Sequence, residues 1–228
     1  MRQGKAILMA TLGSRLYGCP LSKSDRNFVK VCSPSKADLD SGDTELVLVK
    51  DNGLADRKKE TTVIYSPKSF IERCVAGQAG PLELAFLPKD CLQWEDSSGM
   101  MMTEWIRAKC VTQRIIENYN AIITANIAVL QNAFDAKLCC DSIRLCLQAT
   151  SLGLTYVRAM CPIPTQVQSD TLWRIRRGRI VPFEALAILT SAQMTLNALD
   201  ISHLPMGIPS GEVDDIIARV HQDCLSKG

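Results

Sequence analysis

Residues 13–18 read GSRLYG and follow an apolar run, AILMATL. A Gly-Ser turn at the end of a strand presents free backbone N–H groups at the start of a helix. With the Ser14 hydroxyl, those groups can cradle the phosphates of a nucleotide. After a gap of ten residues come Asp25 and Asn27. Two acids at alternate positions of a strand point the same way and can share Mg²⁺ beside the phosphates during phosphoryl transfer to a hydroxyl. Here the pair is one acid and one amide.

Four further stretches accompany this turn. SDRN spans 24–27, and TTVIYSPKSFIERCVAGQAGPLELAFLP spans 61–88. DAKLCCDSIRL spans 135–145, and LWRIRRG spans 172–178. In this order they resemble the nucleotidyltransferases of the DNA polymerase beta superfamily, of the type found in bacteria and phages. That group carries a GSxxYG turn, an SDxD strand, a third acid on a later strand, a D-x-K-H-x-x-H-x-x-R-L helix and an I-R-x-G turn. The resemblance covers almost the whole chain. It implies an α+β fold: a nucleotidyltransferase-like mixed sheet with helices, followed by an α-helical C-terminal half. It divides the chain into residues 1–97 and 98–228. It also implies a nucleotide-binding set of Gly13, Ser14, Arg15, Tyr17, Lys137, Arg144 and Arg176, with Asp25 as metal ligand. Lys137 and Arg144 lie seven apart and share one helical face, opposite the turn.

The departures from that pattern bear on activity. Asn27 stands where the second acid belongs, and Thr61 where the third belongs, with Glu60 one place away on the other side of a strand. Arg26 takes the usually apolar position between the acids. Leu138 and Asp141 replace both histidines of the helical motif. Mg²⁺ demands oxygen ligands and gives up water reluctantly, so one carboxylate plus an amide is a poor site. Losing metal stabilisation of the transferring group should raise the barrier by several kcal/mol, and each ~1.4 kcal/mol is tenfold in rate. The expectation is a catalytically degenerate protein that leans away from enzyme activity. It would act by binding ATP or another nucleoside triphosphate, a nucleic acid or a protein, or by homo-oligomerisation. Two alternatives stand beside it. One is a live Mg²⁺-dependent transferase moving a nucleoside monophosphate to a hydroxyl, with Asp25 helped by Asn27 and by Glu60 or Glu45. The other is a structural or inhibitory protein with an empty pocket.

Composition is that of a globular protein, 46% hydrophobic and 22% charged, with a formal net charge of +2. That balance does not announce a nucleic-acid binder by itself. The cluster Arg174, Arg176, Arg177 and Arg179 reads as a solvated face, as the wall of a phosphate pocket or as an RNA contact. No apolar run is long enough to span a membrane, and the apolar run near the N-terminus reads as a strand rather than a leader. Ten cysteines occur without a CxxC pair, and the only histidines are His203 and His221. Zinc is not expected from that spacing. Free thiols packed as small hydrophobes in a reducing cytoplasm are expected. Neither histidine is assigned a role.

The elements that must position these residues follow from periodicity. AILMATL (6–12), NFVKVCS (27–33), ELVLVK (45–50) and TTVIYS (61–66) read as strands. DNGLADRKKE between the last two reads as a loop. Ser66 as N-cap and Pro67 at the first helical position start a helix that Gly77 stops. EDSSGMMMTE (95–104) reads as a connection, with Met100–Met102 as linker or packing. Helical spacing then runs from about residue 103 to 160 and is broken by CPIPT. Three more helical segments follow, around SDTLWRIRRG, PFEALAILTSAQMTLNAL and GEVDDIIARVHQDCL.

Overall fold

A computed structural model describes residues 4–13, 17, 26–33, 45–51, 59–154 and 164–227. Strands β1 (Ala6–Leu12), β2 (Arg26–Cys32), β3 (Glu45–Asp51), β4 (Lys59–Tyr65) and β5 (Leu92–Glu95) form one sheet in the order β3-β4-β2-β1-β5. β2 and β4 run parallel; every other neighbouring pair is antiparallel. The sheet is therefore mixed, and the four strands expected from the sequence are present. One face carries Leu8, Ala10 and Leu12 of β1, then Val29 and Val31 of β2, all buried. Side chains two apart share a face, so this row faces the helices.

Helices α1 (Pro67–Val75), α2 (Ala79–Ala85) and α3 (Ser97–Lys109) lie within or directly after the sheet region. The Ser66 hydroxyl accepts from the Ser69 amide at 3.1 Å, and Pro67 occupies the first turn. That start matches the expectation from SPK. Helices α4 (Gln113–Asn132), α5 (Ala136–Leu154), α6 (Gln166–Arg176), α7 (Pro182–Asn197) and α8 (Ser210–Ser226) make the C-terminal half. The fold is α+β, a mixed sheet with helices followed by a helical half. Buried apolar residues run continuously from β1 through α3 to Ile123, Ala149 and Leu189.

The stretch 95–104 is not a connection. It holds the end of β5 and the first two turns of α3, which starts at Ser97. Asp96 caps the helix, accepting from the Gly99 amide at 3.0 Å, and its own amide bonds the Ile7 carbonyl at 3.0 Å. The Ser and Gly that look like loop residues are there for packing. A Cβ on Gly99 would lie 2.2 Å from the Ile7 carbonyl oxygen. Ser98 is buried and donates to Asp223 of α8 at 2.6 Å. Met102 is fully buried, so the methionine run is packing. Of the expected loop 51–60, Asp51 ends β3 and Lys59 and Glu60 begin β4, while residues 52–58 lie outside the described residues, as do residues 161–163 of the CPIPT break.

Candidate functional site

Register places three of the expected positions together. Leu12 pairs with Asn27 across β1 and β2, and Asn27 pairs with Thr61 across β2 and β4. Asn27 and Thr61 thus stand side by side on the helix-covered face, at its open end. There the apolar rows Val31–Val29 and Tyr65–Val63 give way to an amide and a hydroxyl. Gly13 follows directly after β1 with φ at 85°, a conformation that favours glycine. A Cβ there would meet the Asn27 amide nitrogen at 2.9 Å. The Tyr17 amide bonds the Gly13 carbonyl at 3.3 Å, which closes the turn. Ser14, Arg15 and Asp25 lie outside the described residues.

The described members of the expected metal set, Asn27 and Thr61, are neutral. Glu60 pairs with Arg26 in the β2–β4 register, one position from Thr61, and so belongs to the opposite face. Glu45 lies opposite Tyr65, whereas Val49 lies opposite Thr61. Four residues at ~3.3 Å each put Glu45 roughly 13 Å from the Thr61 level. Among the described residues, no group of three or more His, Cys, Asp or Glu side chains is placed to hold a metal ion. Asn27 and Thr61 offer neutral oxygens, whereas Mg²⁺ sites are commonly built on one or two carboxylates together with substrate phosphates.

Behind the turn lies a buried polar cluster. Glu83, in α2, is only 2% exposed. Its carboxylate accepts from the Tyr17 hydroxyl and from the Arg144 guanidinium of α5, with which it forms an ion pair. The Arg144 guanidinium also lies over the Tyr17 ring, 4.1 Å from its centroid. Burial pulls the Arg144 pKa down, but Glu83, Tyr17 and Asp141 outweigh it and hold the pKa above the ordinary value. Burial first, then the Glu83 charge, pushes the Tyr17 phenol well above its usual value. Tyr119 of α4 is buried beside this cluster and feels the same two charges. Among the described residues, Tyr119 Oη and Arg144 Nε have no hydrogen-bond partner.

Glu83 was not foreseen, yet it had a signal. In AGPLELAFL the apolar residues continue around every face of a short helix. The single acid must then be buried and needs a buried partner.

The other expected residues are placed as follows. Lys137 is exposed in the first turn of α5, and Asp141 is half-buried between it and Arg144. Leu138 packs against the core. Its amide bonds the Asp135 carboxylate at 2.7 Å, so Asp135 caps the helix. Arg176 is half-buried in the last turn of α6. On the same face of α6, the Ser169 hydroxyl donates to the Tyr17 carbonyl at 3.3 Å. Arg177 and Arg179 stack on Trp173, at 5.1 and 4.6 Å from the ring centroid. The described cysteines are free thiols; Cys19 and Cys161 lie outside the described residues. His203 is exposed, and burial, then Lys68, lowers the His221 pKa.

No family model matches the chain, and no curated protein matches it. Among solved structures, it is similar to a nucleotidyltransferase-like protein from Exiguobacterium sibiricum 255-15. The superposition has a TM-score of 0.31 at 8% identity and covers 98% of this chain and 73% of that one.

Proposed function

We propose that this chain is a degenerate member of the nucleotidyltransferase-like proteins, one that binds a nucleoside triphosphate at the Gly13 turn and does not transfer it. The observation that carries this reading is the Asn27–Thr61 pair. The register sets these two residues side by side at the end of the sheet, beside a glycine turn suited to phosphate. The positions are those where a transferase needs carboxylates, and both side chains are neutral. The turn and the exposed Lys137 supply donors and positive charge for phosphates without a metal.

A second reading, a structural protein with an empty pocket, is favoured by one observation. Arg144 is already neutralised by Glu83, so it offers less to an incoming phosphate. Binding of ATP, measured by calorimetry in EDTA and in Mg²⁺, separates the readings. The proposal expects equal affinity in both, with no label transferred from α-labelled ATP. Metal-dependent affinity with transfer means a live enzyme. Absence of binding in both buffers leaves the structural reading.

A further inference from the structure

Four arginines stand at the C-terminal end of α6 and just beyond it: Arg174, Arg176, Arg177 and Arg179. From Thr171 to Phe183 the chain holds these four cations and no Asp or Glu. Asp170 is four residues before Arg174, the spacing of a helical ion pair, yet its carboxylate accepts from Gln166 at 2.9 Å instead. Among the described residues, none of the four guanidiniums forms an ion pair. Arg176 is half-buried on the face of α6 that carries Ser169, whereas Arg174, Arg177 and Arg179 are exposed.

An aromatic ring positions two of them. Arg177 and Arg179 both lie against Trp173, and the turn that ends α6 brings this about. Gly178 has φ at 66°, the left-handed conformation that suits glycine. Its amide bonds the Ile175 carbonyl at 3.0 Å, and the Arg179 amide bonds the Arg174 carbonyl at 2.9 Å. The chain folds back and carries Arg179 to the ring from beyond the helix. Trp173 packs against the core, so the stack is held in place. A guanidinium over a ring keeps its N–H edge for other acceptors. Four residues after Arg179, at the start of α7, Phe183 is 82% exposed and stands outside the apolar core.

We infer that this corner of the chain binds single-stranded nucleic acid, with the three exposed arginines on phosphates and Phe183 on a base. The occupant follows from two features taken together. Cations with no acid among them match a polyanion, and they give up no protein partner when it binds. A bare aromatic ring beside them offers the stacking face that an unpaired base uses, and arginine planes stack on bases too. A duplex keeps its base faces covered, and an acidic peptide would use the arginines while leaving Phe183 in water. Arg177 is eight residues past Ser169, roughly 12 Å along the helix at ~1.5 Å per residue. These groups are thus distinct from those around the Gly13 turn. Three phosphate contacts at a slope of about −0.7 each give about −2 for log affinity against log salt. A rise from about 50 to about 200 mM salt should then weaken binding roughly 20-fold.

Fluorescence anisotropy with labelled oligouridylate and oligothymidylate of about 12 nucleotides tests this, beside a DNA duplex of the same length. Co-sedimentation with phosphatidylglycerol vesicles tests a lipid surface. The wild type should bind a single strand with a dissociation constant on the order of micromolar, more tightly than the duplex and with that salt slope. Arg177→Ala with Arg179→Ala should weaken binding at least tenfold and bring the slope to about −0.7. Phe183→Ala should weaken it at least fivefold and leave the slope unchanged. Arg219→Ala, at an exposed arginine of α8, should bind as the wild type does. All these positions are exposed, so each variant should keep the native circular dichroism spectrum. If the double variant does not, Arg174→Gln with Phe183→Ala serves instead, under the same tenfold criterion. A wild type that binds neither single strand overturns the inference, whether or not it binds the vesicles. So does a duplex bound as tightly as the single strand. So does a Phe183 variant, or a double variant, that binds as well as the wild type.

Discussion

The ion pair between Glu83 and Arg144 is the residue on which the site's character turns. A buried carboxylate in contact with a buried guanidinium adds little net stability, because desolvation offsets most of the attraction. Removing one partner is different, since it strands the other charge. Glu83→Ala should destabilise the fold by about 3–5 kcal/mol, whereas Glu83→Leu with Arg144→Met should recover most of that loss. Urea unfolding of the two variants measures both. Burial also holds protons on the interior acids. Cys110 is pushed up to about 12, Cys139 to about 11, and Tyr17 well above its usual value. Each folded pKa exceeds the unfolded one, so above roughly pH 8.5 the unfolded chain releases protons that the folded chain keeps. Stability should therefore fall as pH rises from about 8.5 to about 11, as read from urea midpoints. Midpoints that stay flat or rise over that range would contradict the burial of these groups.

At the scale of elements, the sequence was legible where one physical signal dominates. AILMATL was legible as a short apolar run ended by Gly13 and TTVIYS by its alternation, and both strands bury residues on each face, Ile7 beside Leu8 and Ile64 beside Tyr65. SPK gave the start of α1 because a cap and a proline leave few alternatives. β5 was not legible: LQWE is four residues long, with Gln93 and Trp94 exposed, and shows no alternation. The start of α3 was hidden because Ser98 and Gly99 serve a contact that only the folded chain contains. Gly99→Leu should separate α3 from β1 and destabilise by at least the ~1–3 kcal/mol of an overpacked core, as a thermal melt would show. In the candidate site, the Gly13, Asn27 and Thr61 positions were singled out by the resemblance of GSRLYG, SDRN and TTVIYS to one family's motifs, and only the strand register shows Asn27 beside Thr61. The Tyr17–Glu83–Arg144 cluster joins three separate segments, so no local spacing announces it.

At the scale of the whole molecule, the proposed function rests on two neutral side chains, Asn27 and Thr61, side by side at the end of the mixed sheet. Strand register, the left-handed glycine and the helical half are all in place around Asn27 and Thr61. If charge is what is missing, returning it should return metal affinity before anything else. Asn27→Asp with Thr61→Asp adds two carboxylates on neighbouring strands, at the open end of the face where the substituted side chains are not enclosed. Activity is not expected to follow, because Leu138 and Asp141 stand where the family motif has histidines. The direct measurement is calorimetric titration of ATP into wild-type and doubly substituted protein, each with Mn²⁺ and with EDTA. The account predicts that Mn²⁺ leaves the wild-type affinity unchanged and tightens the variant by at least tenfold, or ~1.4 kcal/mol. A wild-type chain whose ATP binding already depends on Mn²⁺, or a variant that gains nothing from it, would contradict the account.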